Sequence, residues 1–231
     1  GDDERKVQIE DEIRPNKLIK EMEMQPNKLI KTENSLLKKN KQLNSEKKQH
    51  KKLLTSLEKR RQQKSSDLSQ KQKDQKRLQQ LITEVATLLV NSTRKQDARP
   101  IRSLKGKLPR PTKGRIVKAF GNYNSQARSK WQGWLIKGYE GSAITAVHHG
   151  RIVFSDWLRG FGLLLIVDHG DGYLSLYARN QSLLKSVGDW VYQGENIATL
   201  GSSGGFKEPR LYFEIRHKGK PQDPAAWLSR K

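Results

Sequence analysis

The fold of the second half of this 231-residue chain is decided by the segment Gly162-Leu163-Leu164-Leu165-Ile166-Val167-Asp168-His169-Gly170-Asp171-Gly172-Tyr173-Leu174-Ser175-Leu176-Tyr177-Ala178. Its first part is an uninterrupted run of branched apolar residues, which is typical of a strand buried on both faces. The five residues that follow, Asp168-His169-Gly170-Asp171-Gly172, have the composition of a tight turn. A second apolar stretch begins at Tyr173. The segment therefore predicts two antiparallel strands joined by a hairpin.

Short strand-like segments between glycine turns continue on both sides of this hairpin. We expect strands at 115–120, 143–147, 150–156, 162–168, 173–178, 195–200 and 210–217. Closely spaced short strands with turns between them, and no helical pattern among them, are typical of an all-β domain. Residues 114–231 are therefore predicted to form a mainly β domain.

The first 98 residues have a different composition. They contain no Phe, Tyr or Trp and no glycine after Gly1, and they are rich in Lys, Gln, Leu and Glu. This composition favours helix. From Pro26 onward a heptad spacing places Leu29, Leu36, Leu43, His50 and Leu57 in one seam, which predicts a coiled coil. We expect breaks or kinks at Pro15 and Pro26, and a helix end near residues 65–67.

A second amphipathic stretch follows and is far more apolar than the coil. Its apolar residues recur at spacings of three and four, so they share one helical face: Leu78, Leu81, Ile82, Val85, Leu88 and Leu89. The Pro- and Arg-rich stretch that follows is predicted to be a linker. The chain is thus predicted to be multidomain, with a helical region at 1–98, a linker at 99–113 and the β domain at 114–231.

The net charge of +22 indicates an anionic partner or a well-solvated, Lys-rich coil. Nucleic acid, anionic lipid and acidic cell-wall polymer are all anionic, but the sequence has no recognisable nucleic-acid-binding motif. The chain has no cysteine, which excludes disulfides and thiolate metal sites. No apolar run approaches the length of a transmembrane helix.

Three further motifs lie in the β domain: Trp131-Gln132-Gly133-Trp134-Leu135, Leu176-Tyr177-Ala178-Arg179 and Arg210-Leu211-Tyr212-Phe213-Glu214-Ile215-Arg216. Together they resemble the LytM-like zinc endopeptidases, whose pattern is His-x-Gly-x-Asp, Tyr-x-His and His-Leu-His-Phe-Glu. The frame is kept here, but the positions of the zinc-binding and catalytic side chains are occupied by Trp131, Leu135, Arg179, Arg210 and Tyr212.

These replacements remove the chemistry of a zinc site. Catalytic zinc takes three His or carboxylate ligands and a water molecule. Trp and Leu offer no lone pair, and Arg brings a positive charge to a site for a cation. The resemblance therefore implies a LytM-like fold with no metal, no cofactor and no enzymatic activity of its own. An active zinc endopeptidase and a cell-wall or polyanion-binding module are the two alternatives.

Within this family the sequence is most similar to a degenerate branch, the murein hydrolase activators. The residues that carry this likeness include the run 150–162, Gly201-Ser202-Ser203-Gly204-Gly205 and the closing Ala226-Trp227-Leu228. The branch implies that the former catalytic groove binds an N-acetylmuramyl-L-alanine amidase. We expect this groove to be lined by Gln132, Leu135, Phe161, Leu164, Tyr177, Arg179, Arg210, Tyr212 and Arg216.

The same branch implies regulation, partners and a location. The apolar helix around residues 78–89 is expected to lie over the groove and block it, although these residues could also simply continue the coiled coil. The coil is expected to dock on an FtsE–FtsX-type ABC transporter, with peptidoglycan as a further partner, in the periplasm during cell division. The remaining histidines of the β domain, His148, His149, His169 and His217, match no ligand position of the family and are expected to be structural.

Overall fold

A computed structural model describes the backbone of residues 2–89, 99–125 and 127–230, and the side chains of these residues from Pro26 onward. The chain divides into two compact units, Gly1–Gln63 and Lys64–Lys231. The boundary falls inside a single helix, α1, which runs from Asp2 to Leu89. In this structure the last part of α1 therefore belongs to the same compact unit as the β strands.

The first unit consists of α1 up to Gln63. The expected helix break at Pro15 and Pro26 is wrong, because α1 passes through both prolines and also through residues 65–67. One proline costs a helix about 3 kcal/mol, and the long flanking runs of Lys, Glu, Gln and Leu are strong helix formers that outweigh it. The seam residues Leu29, Leu36, Leu43 and Leu57 are all exposed.

The second unit contains twelve strands among its described residues. They are β1 (Arg115–Lys118), β2 (Tyr123–Asn124), β3 (Ser129–Lys130), β4 (Trp134–Lys137), β5 (Ala143–Thr145), β6 (Gly150–Leu158), β7 (Gly162–Asp168), β8 (Tyr173–Leu183), β9 (Trp190–Val191), β10 (Asn196–Leu200), β11 (Arg210–His217) and β12 (Lys220–Gln222). Two short 3₁₀ turns lie at Ile101–Leu104 and Pro224–Ala226. The predicted mainly β domain is confirmed.

One antiparallel sheet of ten strands organises this unit, with the strand order β1-β4-β11-β8-β7-β6-β9. β5 and β10 extend it beside β8, and β12 pairs with β11. The strands predicted at 162–168 and 210–217 have the observed bounds. The prediction missed β2, β3, β4, β9 and β12, which are only two to four residues long and therefore too short to show a clear alternation in the sequence.

The sheet buries apolar side chains on both faces. On β11, Leu211, Phe213 and Ile215 point into the larger core, whereas Tyr212 belongs to a second cluster on the opposite face. This alternation is the period of two that a strand imposes on its side chains. The second cluster also includes Leu78 and Ile82 of α1, so a helix covers that face of the sheet.

Within the described part of the chain, no helix combines the length and the apolar character needed to cross a bilayer.

Candidate functional site

The floor of a groove is formed by four adjacent strands. Pairing aligns Tyr212 of β11 with Leu135 of β4 and with Ala178 of β8. Leu164 of β7 and Leu176 of β8 join the same buried cluster. The register of these strands is fixed by their buried face, so residues far apart in sequence form one apolar surface.

Tyr212 lies at the centre of this floor between two other aromatic rings. Its ring centroid is 5.9 Å from that of Trp131 and 5.8 Å from that of Phe161, in tilted arrangements that aromatic pairs prefer. Its hydroxyl donates a hydrogen bond to the Glu214 carboxylate. Burial, together with the negative charge of Glu214, holds the pKa of Tyr212 well above its usual value, so the phenol keeps its proton.

Arg179 brings a cation to one end of the groove. Its backbone adopts a left-handed conformation (φ 70°), and its amide donates to the Phe161 carbonyl at 2.9 Å. The guanidinium carbon lies 3.5 Å from the centroid of the Phe206 ring. Burial lowers the pKa of Arg179 to about 10, with a smaller contribution from Arg210. Arg179 therefore stays protonated at neutral pH and is held by the ring beneath it.

A second cation, Arg216, is buried at the other end of the groove. Its Nε donates to Glu214 at 2.6 Å, in an ion pair whose side chains are 1% and 0% exposed. One terminal nitrogen donates to the Gln132 side chain at 3.0 Å. The other donates to the Gly219 carbonyl at 3.1 Å and to Gln79 at 2.7 Å. Three of these acceptors belong to the β domain, and the fourth belongs to α1.

The apolar residues of α1 that face the β domain recur at spacings of three and four. Leu78, Ile82 and Val85 are buried, and Leu81 and Leu89 are half-buried. Leu88 was predicted on this face, and that prediction is wrong because its side chain is 75% exposed. At 100° per residue, Leu88 is rotated by roughly 90° from the centre of the buried face.

The contact between α1 and the groove is tight at one point and loose beside it. Gly160 (φ 87°) lies under Asp74, and a Cβ at Gly160 would be 2.6 Å from the Asp74 side chain. Next to this contact a cavity of about 310 Å³ separates α1 from Trp131, Phe161 and Tyr212. The helix therefore covers the groove without filling it.

The groove does not fit a metal ion. The positions that carry ligands in LytM-like enzymes hold rings, a leucine side chain and guanidinium groups, and the nearby carboxylate of Glu214 is already bound by Tyr212 and Arg216. Within residues 2–89, 99–125 and 127–230, no group of three or more His, Cys, Asp or Glu is arranged to hold a metal. What the groove offers is an aromatic and apolar floor with a cation at each end.

The structure brings together most of the residues predicted for the groove, with one clear exception. Gln132, Leu135, Phe161, Leu164, Arg179, Tyr212 and Arg216 lie on or beside it. Arg210 lies at the edge, half-buried and ion-paired with Glu208. Tyr177 was predicted to line the groove, and this is wrong: it pairs with Phe213 and points into the core on the opposite face.

Sequence reasoning assigned no role to three residues of the site. Glu214 shares the alternation of Tyr212 and Arg216 on β11, so the spacing alone could have identified it. No sequence pattern identifies Phe206, which lies against Arg179, or Gln79, which accepts a hydrogen bond from Arg216. Each of them meets its partner only through tertiary packing.

Tyr177 is instead part of a buried polar chain behind the sheet. Its hydroxyl accepts from the Val147 amide at 3.0 Å and lies 3.0 Å from the Ser175 hydroxyl. His169 contacts Ser175 Oγ through Nε2 at 2.7 Å and the His149 carbonyl through Nδ1 at 2.7 Å. A carbonyl only accepts, so Nδ1 carries the proton and Nε2 accepts from Ser175. These side chains satisfy one another's hydrogen bonds inside the domain, which is a structural role.

This buried network predicts a pH-dependent stability. Burial lowers the pKa of His169 to about 3 and that of His148 to about 4, from an unfolded value of 6.5. As the pH falls below 6.5, the unfolded chain takes up protons that the folded chain does not. The unfolding free energy should therefore fall by up to about 1.4 kcal/mol per pH unit per histidine. The loss should level off as the pH approaches the folded-state values.

Urea unfolding followed by tryptophan fluorescence at several pH values measures this slope, because all five tryptophans lie in the β domain. His169→Asn should reduce the slope. His50→Asn, at an exposed position on α1, is the matched control and should leave it unchanged. An identical pH dependence in the parent and in His169→Asn would contradict the assignment.

Comparison with known proteins is consistent with this geometry. Residues 129–224 match the family model of peptidase family M23, so the β domain is of the M23, LytM-like type. The chain is similar to the murein hydrolase activator EnvC of Escherichia coli (strain K12), with 44% identity over 120 residues. It is 42% identical over 122 residues to the murein hydrolase activator NlpD of the same strain. It is 33% identical over 151 residues to the cell division protein DipM of Caulobacter vibrioides (strain NA1000 / CB15N).

These matches cover part of each protein. They span 52% of this chain for EnvC and NlpD and 62% for DipM, but only 28%, 31% and 24% of those relatives. The chain thus corresponds to about three tenths or less of their length. Among solved structures, a zinc-containing peptidase from Vibrio cholerae gives a TM-score of 0.49 at 19% identity, covering 52% of this chain and 40% of that one.

Proposed function

We propose that this chain, whose β domain is of the M23 type, activates a peptidoglycan amidase and is not itself a hydrolase. The amidase would bind in the groove formed by Gln132, Leu135, Phe161, Leu164, Arg179, Arg210, Tyr212 and Arg216. The observation that carries the proposal is that this groove holds an aromatic and cationic surface where the family's enzymes hold their ligands. The names of the relatives EnvC and NlpD, both murein hydrolase activators, support the same role.

The chemistry of the groove favours a helical segment of the partner. Aromatic residues and arginine are enriched where interfaces gain most of their binding energy. Helix-in-groove recognition needs an apolar cleft with polar groups beside it. The β domain provides Tyr212 and Leu135 as the apolar part, with Arg179 and Arg216 as charged anchors.

We propose in addition that α1 restrains this activity by occupying the groove. Leu78 and Ile82 pack in the same buried cluster as the apolar floor, and the Gln79 side chain accepts a hydrogen bond from Arg216. If α1 leaves, Glu214 and Gln132 still hold the guanidinium, so Arg216 would be preorganised for an acceptor on the partner. The cavity beside Tyr212 indicates that a better-fitting partner segment could replace α1.

The exposed leucine seam of the first unit is the proposed docking site for the regulatory partner. Four exposed leucines repeat every seven or fourteen residues between Leu29 and Leu57, and a heptad seam of this kind is buried by another helix. In the proposed mechanism an FtsE–FtsX-type transporter binds the seam and withdraws α1 from the groove. The location would be the periplasm, close to peptidoglycan.

Release of dye from labelled peptidoglycan tests this function. The chain alone should release no dye, and an amidase together with the chain should release more than the amidase alone. Elemental analysis after dialysis should find no stoichiometric zinc, because the ligand positions hold no suitable donors. Dye release by the chain alone, lost on chelation and accompanied by one zinc per chain, would establish the rival function of an active endopeptidase.

A further inference from the structure

A second cleft lies elsewhere in the β domain and shares no lining residue with the groove. It has a volume of about 1110 Å³ and is bounded by residues 110–115, by Lys137, Gly138 and Tyr139, and by residues of β5 and the turn before it. Its walls are held by ordinary structural bonds: Thr145 donates its amide to the Pro111 carbonyl at 2.8 Å, and Thr112 donates its hydroxyl to the Ala143 carbonyl at 2.9 Å. The cleft is therefore part of the folded domain.

Positive charge is concentrated along this cleft. The stretch from residue 99 to 115 contains no Asp or Glu and seven basic residues, namely Arg99, Arg102, Lys105, Lys107, Arg110, Lys113 and Arg115. Four cations line the cleft itself: Arg110, Lys113, Arg115 and Lys137. A concave wall that carries charges of one sign concentrates the field and attracts the opposite charge.

Among the residues that the structure describes, few acidic side chains lie close to these cations. Lys137 is 3.6 Å from the Glu208 carboxylate. Within the part of the chain that the structure describes, none of the ion pairs involves Arg110, Lys113 or Arg115. The Nε atom of Arg110 is buried without a hydrogen-bond partner there, and its guanidinium carbon lies 5.8 Å from the Trp134 ring centroid. Buried donors ordinarily have acceptors, so this one calls for an explanation.

The backbone beside the cleft is that of an edge strand. Among the described strands, β1 pairs only with β4 and stands at the end of the main strand order, and its first residue Arg115 lines the cleft. An edge strand can receive an extended peptide through main-chain hydrogen bonds, while neighbouring side chains select its sequence. Cations along such an edge select acidic side chains.

We propose that this cleft binds an acidic peptide in an extended conformation. The peptide adds to the free edge of β1 and places its carboxylates against Arg110, Lys113 and Arg115. A membrane surface fits less well, because a bilayer is broad and these cations line a concave cleft. The proposal is independent of the groove, whose residues it does not use.

Fluorescence polarisation of the full chain with labelled hexaglutamate tests the proposal, with labelled hexaglutamine as the neutral probe. Hexaglutamate should bind and hexaglutamine should not. The double variant Lys113→Gln/Arg115→Gln should weaken hexaglutamate binding about tenfold or more, because it removes two charge-assisted contacts. The control Lys130→Gln/Lys218→Gln removes the same charge from exposed positions on other parts of the β domain and should change binding less than about twofold.

Two results would overturn the proposal. Equal weakening by both double variants, with both folded by thermal melting, would mean that the net charge alone attracts the peptide. Cleft-dependent binding to phosphatidylglycerol vesicles with no binding to hexaglutamate would assign the cleft to a membrane surface instead. Both measurements are separate from amidase stimulation, so they do not depend on the proposed function.

Discussion

The variant Ile82→Asp is expected to raise amidase stimulation by the full chain about tenfold or more. Ile82 is fully buried between α1 and the sheet. Exposing its side chain forfeits about 1.5–3 kcal/mol of apolar burial, and a carboxylate in the same place adds a desolvation cost of several kcal/mol. Because each 1.4 kcal/mol is about a factor of ten, the closed arrangement should lose most of its population.

The matched control is Leu88→Asp, which makes a similar change on the same helix. Leu88 is 75% exposed, so its replacement leaves the groove contact in place and should alter stimulation less than about twofold. Stimulation is measured by dye release at several concentrations of the chain, and affinity by pull-down with the amidase. If Ile82→Asp and Leu88→Asp both behave as the parent does, α1 does not restrain the groove.

The second large effect is expected at Arg216, where stability and function can be separated. Arg216→Ala leaves the Glu214 carboxylate buried without its partner, which should lower the unfolding free energy by about 3–5 kcal/mol. Loss of stimulation in this variant is therefore uninformative by itself. Alternation along the strand predicted that Arg216 lies on the groove face. It did not predict that the side chain is buried, which is why removing it should lower the stability.

Arg216→Lys provides the functional test. Lysine keeps a positive charge beside Glu214, but it cannot reproduce the planar set of bonds to Glu214, Gln132 and Gly219. We expect it to fold, and to reduce amidase stimulation about tenfold or more, as is typical of an arginine anchor. Arg151→Lys, at an exposed position outside the groove, should stimulate as the parent does. Full stimulation by folded Arg216→Lys would remove Arg216 from the proposed interface.

The sequence predicted the elements whose patterns are local. The apolar run at 163–167 and the turn after it gave β7 and β8, and alternation along 210–217 gave β11 with Tyr212 and Arg216 on one face. The spacing of Leu78, Ile82 and Val85 predicted the buried face of α1. The replaced ligand positions at Trp131, Leu135 and Arg179 predicted a site without metal donors. The strand and helix inferences need only the period of each element, whereas the last inference also needs the resemblance to LytM-like enzymes, which identifies the ligand positions, together with the chemistry of the side chains.

Tertiary structure decided what depends on distant partners. Tyr177 belongs to the core because the register of β8 against β11 puts it beside Phe213, and a motif alone does not give the register. Leu88 lies in solvent because the axial rotation of α1 is fixed by its packing at Leu78 and Ile82. The contact of Gln79 with Arg216 joins residues 137 positions apart. A sequence pattern reports which face a residue occupies on its own element, whereas the neighbour it meets is set by how the elements pack.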